Sequence, residues 1–224
     1  MVYLMVEQQF AKYPWCQRTI RGIFEEVRKR RIHVQEVSEL PGGAEERSCV
    51  LLVGASEEWI NQTAREAGSL GLHPVVLSNR ETNSSGLSVS SVKMDIHSSM
   101  ELAVDYLRTL GRERLALFGV NPSASSDLWR ARRFGELTGR EGDVFFLGAS
   151  VAEIFDRFYE KIHCYDGVIC ASDYAAVSLV GRLREKNYAI PEKLYVVGYG
   201  DMFLSRLYRP SITSISDDYE SFGK

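Results

Sequence analysis

Three aromatic side chains fall within six residues, directly after the first predicted strand. They are Phe10, Tyr13 and Trp15, and Pro14 stiffens the segment and can open the following helix. Aromatic faces stack on the apolar faces of sugars and on bases, and a tyrosine hydroxyl adds a polar contact. The same residues are also typical of a hydrophobic staple at a helix start. The pattern supports the two interpretations equally, and Tyr13 and Trp15 are candidate ligand contacts.

Charged residues follow several other predicted strands. Asp173 comes after the strand Asp-Gly-Val-Ile-Cys, and Arg130 lies early in the helix after the segment 121–126. Asp217 follows the apolar segment 212–215. Carboxylates accept hydrogen bonds from ligand hydroxyls, and a guanidinium offers a forked donor. The structural alternatives are a favourable acid at a helix N-terminus for Asp173, a surface arginine for Arg130 and a solvated turn for Asp217.

Motifs for catalysis and phosphate binding are absent from the sequence. It contains no GxGxxG after the first strand, no GxxxxGK[ST], no HExxH and no GxSxG. Its four histidines lack metal-ligand spacing. We therefore predict no catalytic residues, no cofactor and no metal site, and we expect a binding protein rather than an enzyme.

Hydrophobic periodicity predicts alternating strands and helices along the whole chain. The strands are near-continuous apolar runs, as in parallel sheets covered on both faces. The predicted strands are 2–6, 48–53, 73–77, 115–118, 143–147, 166–170 and 194–199, and the predicted helices are 15–31, 57–70, 98–110, 126–137, 151–163 and 174–186. Segments 40–46 and 80–91 are interpreted as loops, the first as a loop or a shortened element.

This alternation indicates an α/β fold of the doubly wound type. The strands are too many for one small sheet, so we predict two lobes with a ligand cleft between them at the carboxyl ends of the strands. The predicted boundaries are 1–112 for the N-terminal lobe, 113–214 for the C-terminal lobe, and 215–224 for a crossover returning to the first lobe.

Composition limits the classes of function. The chain has 224 residues, 45% of them hydrophobic and 25% charged, which is typical of a globular protein. Its net charge of −3 argues against wrapping on nucleic acid. No apolar run reaches the ~20 residues of a membrane span, and the N-terminus lacks the pattern of a signal peptide. We expect a cytoplasmic protein without a membrane partner, whose four cysteines are reduced and buried.

An ordered set of motifs in the second half resembles one protein family. It comprises Asp166-Gly-Val-Ile-Cys-Ala-Ser-Asp173, Ile190-Pro191, Val196-Val197-Gly198-Tyr199, and Arg209-Pro210-Ser211-Ile212-Thr213-Ser214-Ile215 with Asp218. Together with Pro14-Trp15, Arg21-Gly22-Ile23 and Arg130 with Phe134, these residues resemble the effector-binding domain of LacI/GalR transcriptional regulators. Arg133, where the family has glycine, and Ile96, where it has asparagine, depart from the pattern.

The resemblance implies a fold and a function. The fold is that of the periplasmic sugar-binding proteins, with two α/β lobes and the effector between them. It implies effector contacts from Trp15 or its neighbours, Arg130, Asp173 and Asp217. The effector is expected to be a sugar or related polyol, with purines and sugar phosphates left open. A homodimer would control operator DNA through a helix-turn-helix headpiece that is not in this chain. The alternative is a stand-alone cytoplasmic protein that binds a sugar or nucleoside.

Overall fold

The computed structural model describes residues 1–42, 48–78, 89–148 and 151–224. Its strands are β1 (Val2–Val6), β2 (Val34–Glu36), β3 (Cys49–Val53), β4 (His73–Leu77), β5 (Ser90–Val92), β6 (Leu115–Val120), β7 (Val144–Phe146), β8 (Gly167–Cys170), β9 (Tyr195–Tyr199) and β10 (Thr213–Ile215). Its α-helices are α1 (Pro14–Arg30), α2 (Glu57–Ser69), α3 (Ile96–Thr109), α4 (Ser125–Thr138), α5 (Val151–Glu160), α6 (Asp173–Glu185), α7 (Phe203–Leu207) and α8 (Tyr219–Phe222).

The chain forms two compact units. The first unit contains residues 1–94 and 218–224, and the second contains residues 95–217. Each unit is built on a five-stranded parallel sheet, in the order β2-β1-β3-β4-β5 in the first and β10-β9-β8-β6-β7 in the second. The predicted α/β class with two parallel-sheet lobes is confirmed.

Apolar residues cover both faces of the first unit's sheet. On one face, Leu4 and Val6 pack with Cys16 and Ile23 of α1. On the other face, the core includes Val50 and Leu52 of β3 with three residues of α2, namely Ile60, Ala64 and Ala67. Successive side chains of β1 and β3 point to opposite faces of the sheet, and a helix covers each face. Both sets of side chains are therefore buried, which explains why the strands are near-continuous apolar runs.

The second unit repeats this arrangement with larger side chains. Phe118 of β6 packs with Phe158 of α5 on one face. Leu117, its neighbour in the strand, packs with Met100 of α3 and Phe134 of α4 on the other. All six residues of β6 are buried. A central strand covered on both faces needs this pattern.

The division of the chain differs from the sequence-based boundaries at residues 112 and 113. Helix α3 belongs to the second unit, which begins at Asp95. Its buried face, including Val104 and Leu107, joins the core formed by β6 and β9. The sequence pattern identified this helix and its apolar face but carried no information on which sheet it would cover.

The chain returns to the first unit after Asp217, and the returning segment packs closely on α1. A Cβ atom on Gly22 would lie 2.0 Å from the carbonyl oxygen of Glu220, and one on Gly223 would lie 2.1 Å from that of Thr19. Both distances are far below van der Waals contact. Only glycine at these two positions allows α8 to approach the α1 backbone this closely.

Three short strands were missed in the sequence. β2, β5 and β10 have three residues each, and β2 and β5 are largely exposed, so neither gives a clear apolar signal. β5 lies at the end of the segment interpreted as a polar loop, while residues 80–88 of that segment and 43–46 of the first loop lie outside the described residues. All four cysteines are free; Cys16 and Cys170 are buried, Cys49 is half-buried and Cys164 is exposed, so the prediction that all four are buried is wrong for Cys49 and Cys164.

Candidate functional site

The carboxyl ends of the second unit's parallel strands place several predicted residues along one edge of its sheet. Arg130 follows β6 and lies in α4, Asp173 follows β8 at the start of α6, and Asp217 follows β10. Because parallel strands end at the same edge, these three side chains share one edge although they are far apart in sequence.

Arg130 is the centre of a buried ion-pair cluster at this edge. Its Nη1 lies 2.8 Å from Oδ1 of Asp127, and its Nη2 lies 3.2 Å from Oδ2 of Asp217. The residue is 6% exposed and Asp217 is 7% exposed. The interpretation of Arg130 as a surface arginine and that of Asp217 as a solvated turn therefore do not fit. The two residues singled out separately in the sequence are direct partners.

Tyr199 completes the cluster through its ring and its hydroxyl. The Arg130 guanidinium carbon lies 4.0 Å from the centroid of the Tyr199 ring, a cation–π contact. The Tyr199 hydroxyl donates a hydrogen bond to the hydroxyl of Ser99. Burial, with the nearby Asp217 carboxylate, raises the pKa of Tyr199 above its usual value of 10.0. Tyr199 is therefore neutral at pH 7, and the Arg130 guanidinium contacts an uncharged ring.

Asp127 was missed in the sequence. It lies in the first turn of α4, three residues before Arg130, which places both side chains on one helix face. Its second carboxylate oxygen accepts the backbone N–H of Asn121 at 3.0 Å. The spacing of these two opposite charges was visible in the sequence, but such i,i+3 pairs are common on solvated helix surfaces. Only the burial of this pair distinguishes it.

Asp173 has a different environment from Asp217. It is fully buried. One carboxylate oxygen accepts the backbone N–H of Met202 at 2.6 Å, and the other accepts the hydroxyl of Ser214, also at 2.6 Å. The Ser214 oxygen in turn accepts the N–H of Asp201 at 2.9 Å. Asp173 thus ties the start of α6 to the segment after β9 and to β10.

The structural alternative for Asp173 is partly supported. The N-terminal cap of α6 is Ser172, whose side chain accepts the N–H of Ala175 at 3.2 Å, and Asp173 is the first helical residue. A Cβ atom on Gly198 would lie 2.2 Å from the Asp173 carboxylate, so β9 has room for this carboxylate only with glycine there. Asp173 is therefore built into the fold of this edge, and direct contact with a ligand stays a prediction.

Tyr13 and Trp15 lie in the first unit, at the start of α1. Tyr13 is 51% exposed, whereas Trp15 is half-buried. The Phe10 ring contacts both, with centroid distances of 5.5 Å to Tyr13 and 5.9 Å to Trp15. Trp15 also packs near Tyr219 of α8, at 6.3 Å. Trp15 therefore serves partly as a staple, while Tyr13 presents an accessible ring.

Glu7 is a buried carboxylate at the corresponding edge of the first unit's sheet, and the sequence analysis did not single it out. It accepts the backbone N–H groups of Ala55 at 2.8 Å and Ser56 at 3.0 Å. The Ser56 hydroxyl and the Gln9 amide also donate to it. Burial alone would raise the pKa of Glu7, but these four donors outweigh it and lower the pKa below 4.5. Glu7 therefore joins the end of β1 to the start of α2.

A comparison with protein families decides the classification. Residues 104–224 match the model of the periplasmic binding protein-like domain. The chain belongs to this family. The match includes Arg130, Asp173 and Asp217, so the edge described above lies within the matched residues. The resemblance to effector-binding domains of LacI/GalR regulators is confirmed.

Relatives of this periplasmic binding protein-like chain are transcriptional regulators. One is the HTH-type transcriptional regulator RegA of Clostridium saccharobutylicum, 36% identical over 86 residues, which is 38% of this chain and 22% of RegA. The alignments with the first curated relatives span only about a fifth of their lengths. Homologues of this chain are thus regulators rather than enzymes.

Solved structures share the fold over the whole chain. A LacI transcriptional regulator from a Rhodococcus species aligns with a TM-score of 0.73 and 22% identity, covering 100% of this chain and 87% of that one. The LacI family regulator CCPA from Weissella paramesenteroides, solved with bound sucrose, aligns with a TM-score of 0.69 and 16% identity, covering 100% and 88%. At this identity, the likeness shows the fold.

Two further observations concern the described part of the chain. No helix there is long and apolar enough to cross a membrane. Among the same residues, no group of three or more histidine, cysteine, aspartate or glutamate side chains is placed to hold a metal ion.

Proposed function

We propose that this chain is the small-molecule-sensing part of a LacI/GalR-type transcriptional regulator, and that its effector is a sugar or a related polyol. The observation that carries the proposal is the cluster of Arg130 with Asp127 and Asp217 at the carboxyl edge of the second sheet. Such a cluster presents donors and acceptors side by side. A sugar hydroxyl both donates and accepts, so it can bridge a guanidinium and a carboxylate.

The fold and the relatives support the regulatory part of the proposal. Ligands of open α/β sheets bind at the carboxyl ends of the strands, where this cluster lies. The Weissella regulator of the same fold was solved with sucrose. In the proposed mechanism, the effector favours one conformation of the domain and so shifts operator affinity, acting through a DNA-binding element outside these 224 residues. The regulator would act in the cytoplasm, where its operator is.

A homodimer is the assembly that we propose for this regulator. Operators read by helix-turn-helix dimers have two half-sites, so a dimer matches such a target. Phe203 and Leu207, one turn apart in α7, are both exposed, at 73% and 53%. Sedimentation equilibrium of the protein should give twice the chain mass; a monomer at all concentrations up to ~100 μM would contradict this part of the proposal.

The effector assignment can be tested by calorimetry with a panel of neutral mono- and disaccharides. At least one should bind saturably, and Arg130→Lys should weaken that binding at least tenfold, because a point-charge ammonium cannot replace a fork. Arg132→Lys is the matched control, since Arg132 lies on the same helix with its side chain 69% exposed. Equal loss in both variants, or saturable binding of no saccharide, would contradict the assignment.

A further inference from the structure

Asp127 holds Arg130 and the segment before α4 at the same time. Its Oδ1 accepts from Arg130 at 2.8 Å, and its Oδ2 accepts the Asn121 backbone N–H at 3.0 Å. Both carboxylate oxygens are therefore directed, one towards the guanidinium and one towards the backbone. The fork of Arg130 is fixed between Asp127 on its own helix and Asp217 after β10.

The charges around Arg130 determine which classes of ligand it can bind. Two carboxylates face this guanidinium, and all three side chains are at most 14% exposed. Ion pairs that are buried to this degree are screened little by salt. Two of the three charges in this cluster are negative, so a phosphate that approaches Arg130 is repelled by Asp127 and Asp217. A hydroxyl group meets no such repulsion, because it can accept from the guanidinium while donating to a carboxylate.

We propose that Asp127 is a specificity-determining residue, which compensates the charge of Arg130 so that the site selects neutral polyhydroxyl ligands and discriminates against phosphate esters. The inference rests on the proposed function, since it takes Arg130 as a ligand contact. It goes further in naming the charge class of the effector and the residue that sets it. Sugar phosphates, which the sequence left open, are expected to be rejected.

The test uses inorganic phosphate as the probe, titrated calorimetrically at constant ionic strength into the wild type and Asp127→Asn. The variant keeps an acceptor oxygen for Asn121 but removes the charge, so phosphate should bind it at least tenfold more tightly. Adding Arg130→Gln to that variant should abolish the gain. The matched control is Asp105→Asn, which removes the same charge from a side chain 71% exposed on α3 and should bind phosphate like the wild type.

Equal phosphate affinity in the wild type and Asp127→Asn would overturn the proposal, as would an equal gain in Asp105→Asn, which would indicate a general effect of net charge. If Asp127→Asn does not fold, Asp217→Asn is judged by the same criterion, because it removes the other carboxylate. The phosphate titration does not depend on knowing the sugar. A failure to find any neutral saccharide ligand therefore contradicts the proposed function, while the phosphate series tests the role of Asp127 separately.

Discussion

Glu7 in the first unit and Asp217 in the second are both buried carboxylates at the carboxyl edge of a parallel sheet, yet they are compensated differently. Four neutral donors surround Glu7, two of them backbone N–H groups. Asp217 instead pairs with the Arg130 guanidinium. The same residue class at the same kind of position therefore has two different environments.

This contrast indicates which carboxylates are fixed parts of the fold. The backbone N–H groups that bind Glu7 belong to the loop before α2, and they cannot move away unless that loop changes its conformation. Glu7 therefore has a structural role, holding the end of β1 against the start of α2. An ion pair between two side chains can be shared with a third polar group, because a guanidinium offers five donors in a fork. This difference supports the proposal of Asp217, rather than Glu7, as part of a ligand site.

Asp173 shows that the two kinds of carboxylate environment are not simply divided between the two units. Although it lies in the second unit, its partners are the hydroxyl of Ser214 and the N–H of Met202. By the criterion of neutral donors it resembles Glu7 rather than Asp217. Replacing Asp173 is therefore expected to disturb the segment after β9, and any loss of ligand binding in such a variant reports that disturbance as well.

The largest effect should come from breaking the second unit's cluster. Arg130→Met leaves Asp127 and Asp217 buried without their cation, which typically costs ~3–5 kcal/mol of folding free energy. Urea denaturation measures the loss. If the buried charges cause this loss, a triple variant that adds Asp127→Asn and Asp217→Asn to Arg130→Met should recover most of the lost stability. The triple variant has a neutral cluster, so no buried charge is uncompensated.

A failure of the triple variant to recover stability would weaken this interpretation. It would mean that Arg130 stabilises the unit chiefly through its contact with the Tyr199 ring. Tyr199→Leu separates the two explanations, since it removes the ring and leaves both ion pairs in place.

Glu7→Gln should give the second-largest effect, about 2 kcal/mol, because hydrogen bonds to a charged group contribute ~1.5–3 kcal/mol and the amide cannot accept from all four donors. The effect should depend on pH. Since the pKa of Glu7 is lowered from 4.5 in the folded state, its stabilisation is fully present above pH 4.5 and is lost as the pH falls through the lowered pKa. Denaturation of both proteins between pH 7 and pH 3 measures this.

The difference in unfolding free energy between the two proteins should shrink as the pH falls through that range. If the difference in unfolding free energy stayed constant across the range, the charge of Glu7 would not be its cause. The difference would then come from the shape of the side chain. Glu58→Gln is a suitable control, because Glu58 lies exposed in the first turn of α2 and has no part in the Glu7 network.

Much of the fold followed from the sequence because its signals are local. The buried runs of β3 and β6 and the helical spacing in α3 each lie within one segment. The missed strands, β2, β5 and β10, have three residues each, and their pairing depends on neighbours elsewhere in the chain.

The candidate site was harder to predict because its contacts are not local. Arg130 and Asp217 were both selected, but 87 residues separate them, and neither position shows that they are partners. For Asp173 and Glu7, the deciding fact is which donors surround the carboxylate. Those donors come from loops whose paths follow from the packing of the whole unit, and no spacing in the sequence encodes them.

The smallest effect on stability should come from Tyr13, and it sharpens the contrast between the two sheet edges. The Tyr13 ring is half-exposed and makes one edge-on contact with Phe10, so Tyr13→Ala should cost only ~0.5–1 kcal/mol. If the first unit serves ligands through aromatic faces, the same change should weaken binding of a neutral saccharide several-fold, as calorimetry would measure. Trp15→Ala is the comparison, because Trp15 also packs near Tyr219 and should lose more stability. Unchanged saccharide affinity in Tyr13→Ala would mean that these aromatics only staple α1, and that charged and hydroxyl groups alone make the ligand contacts.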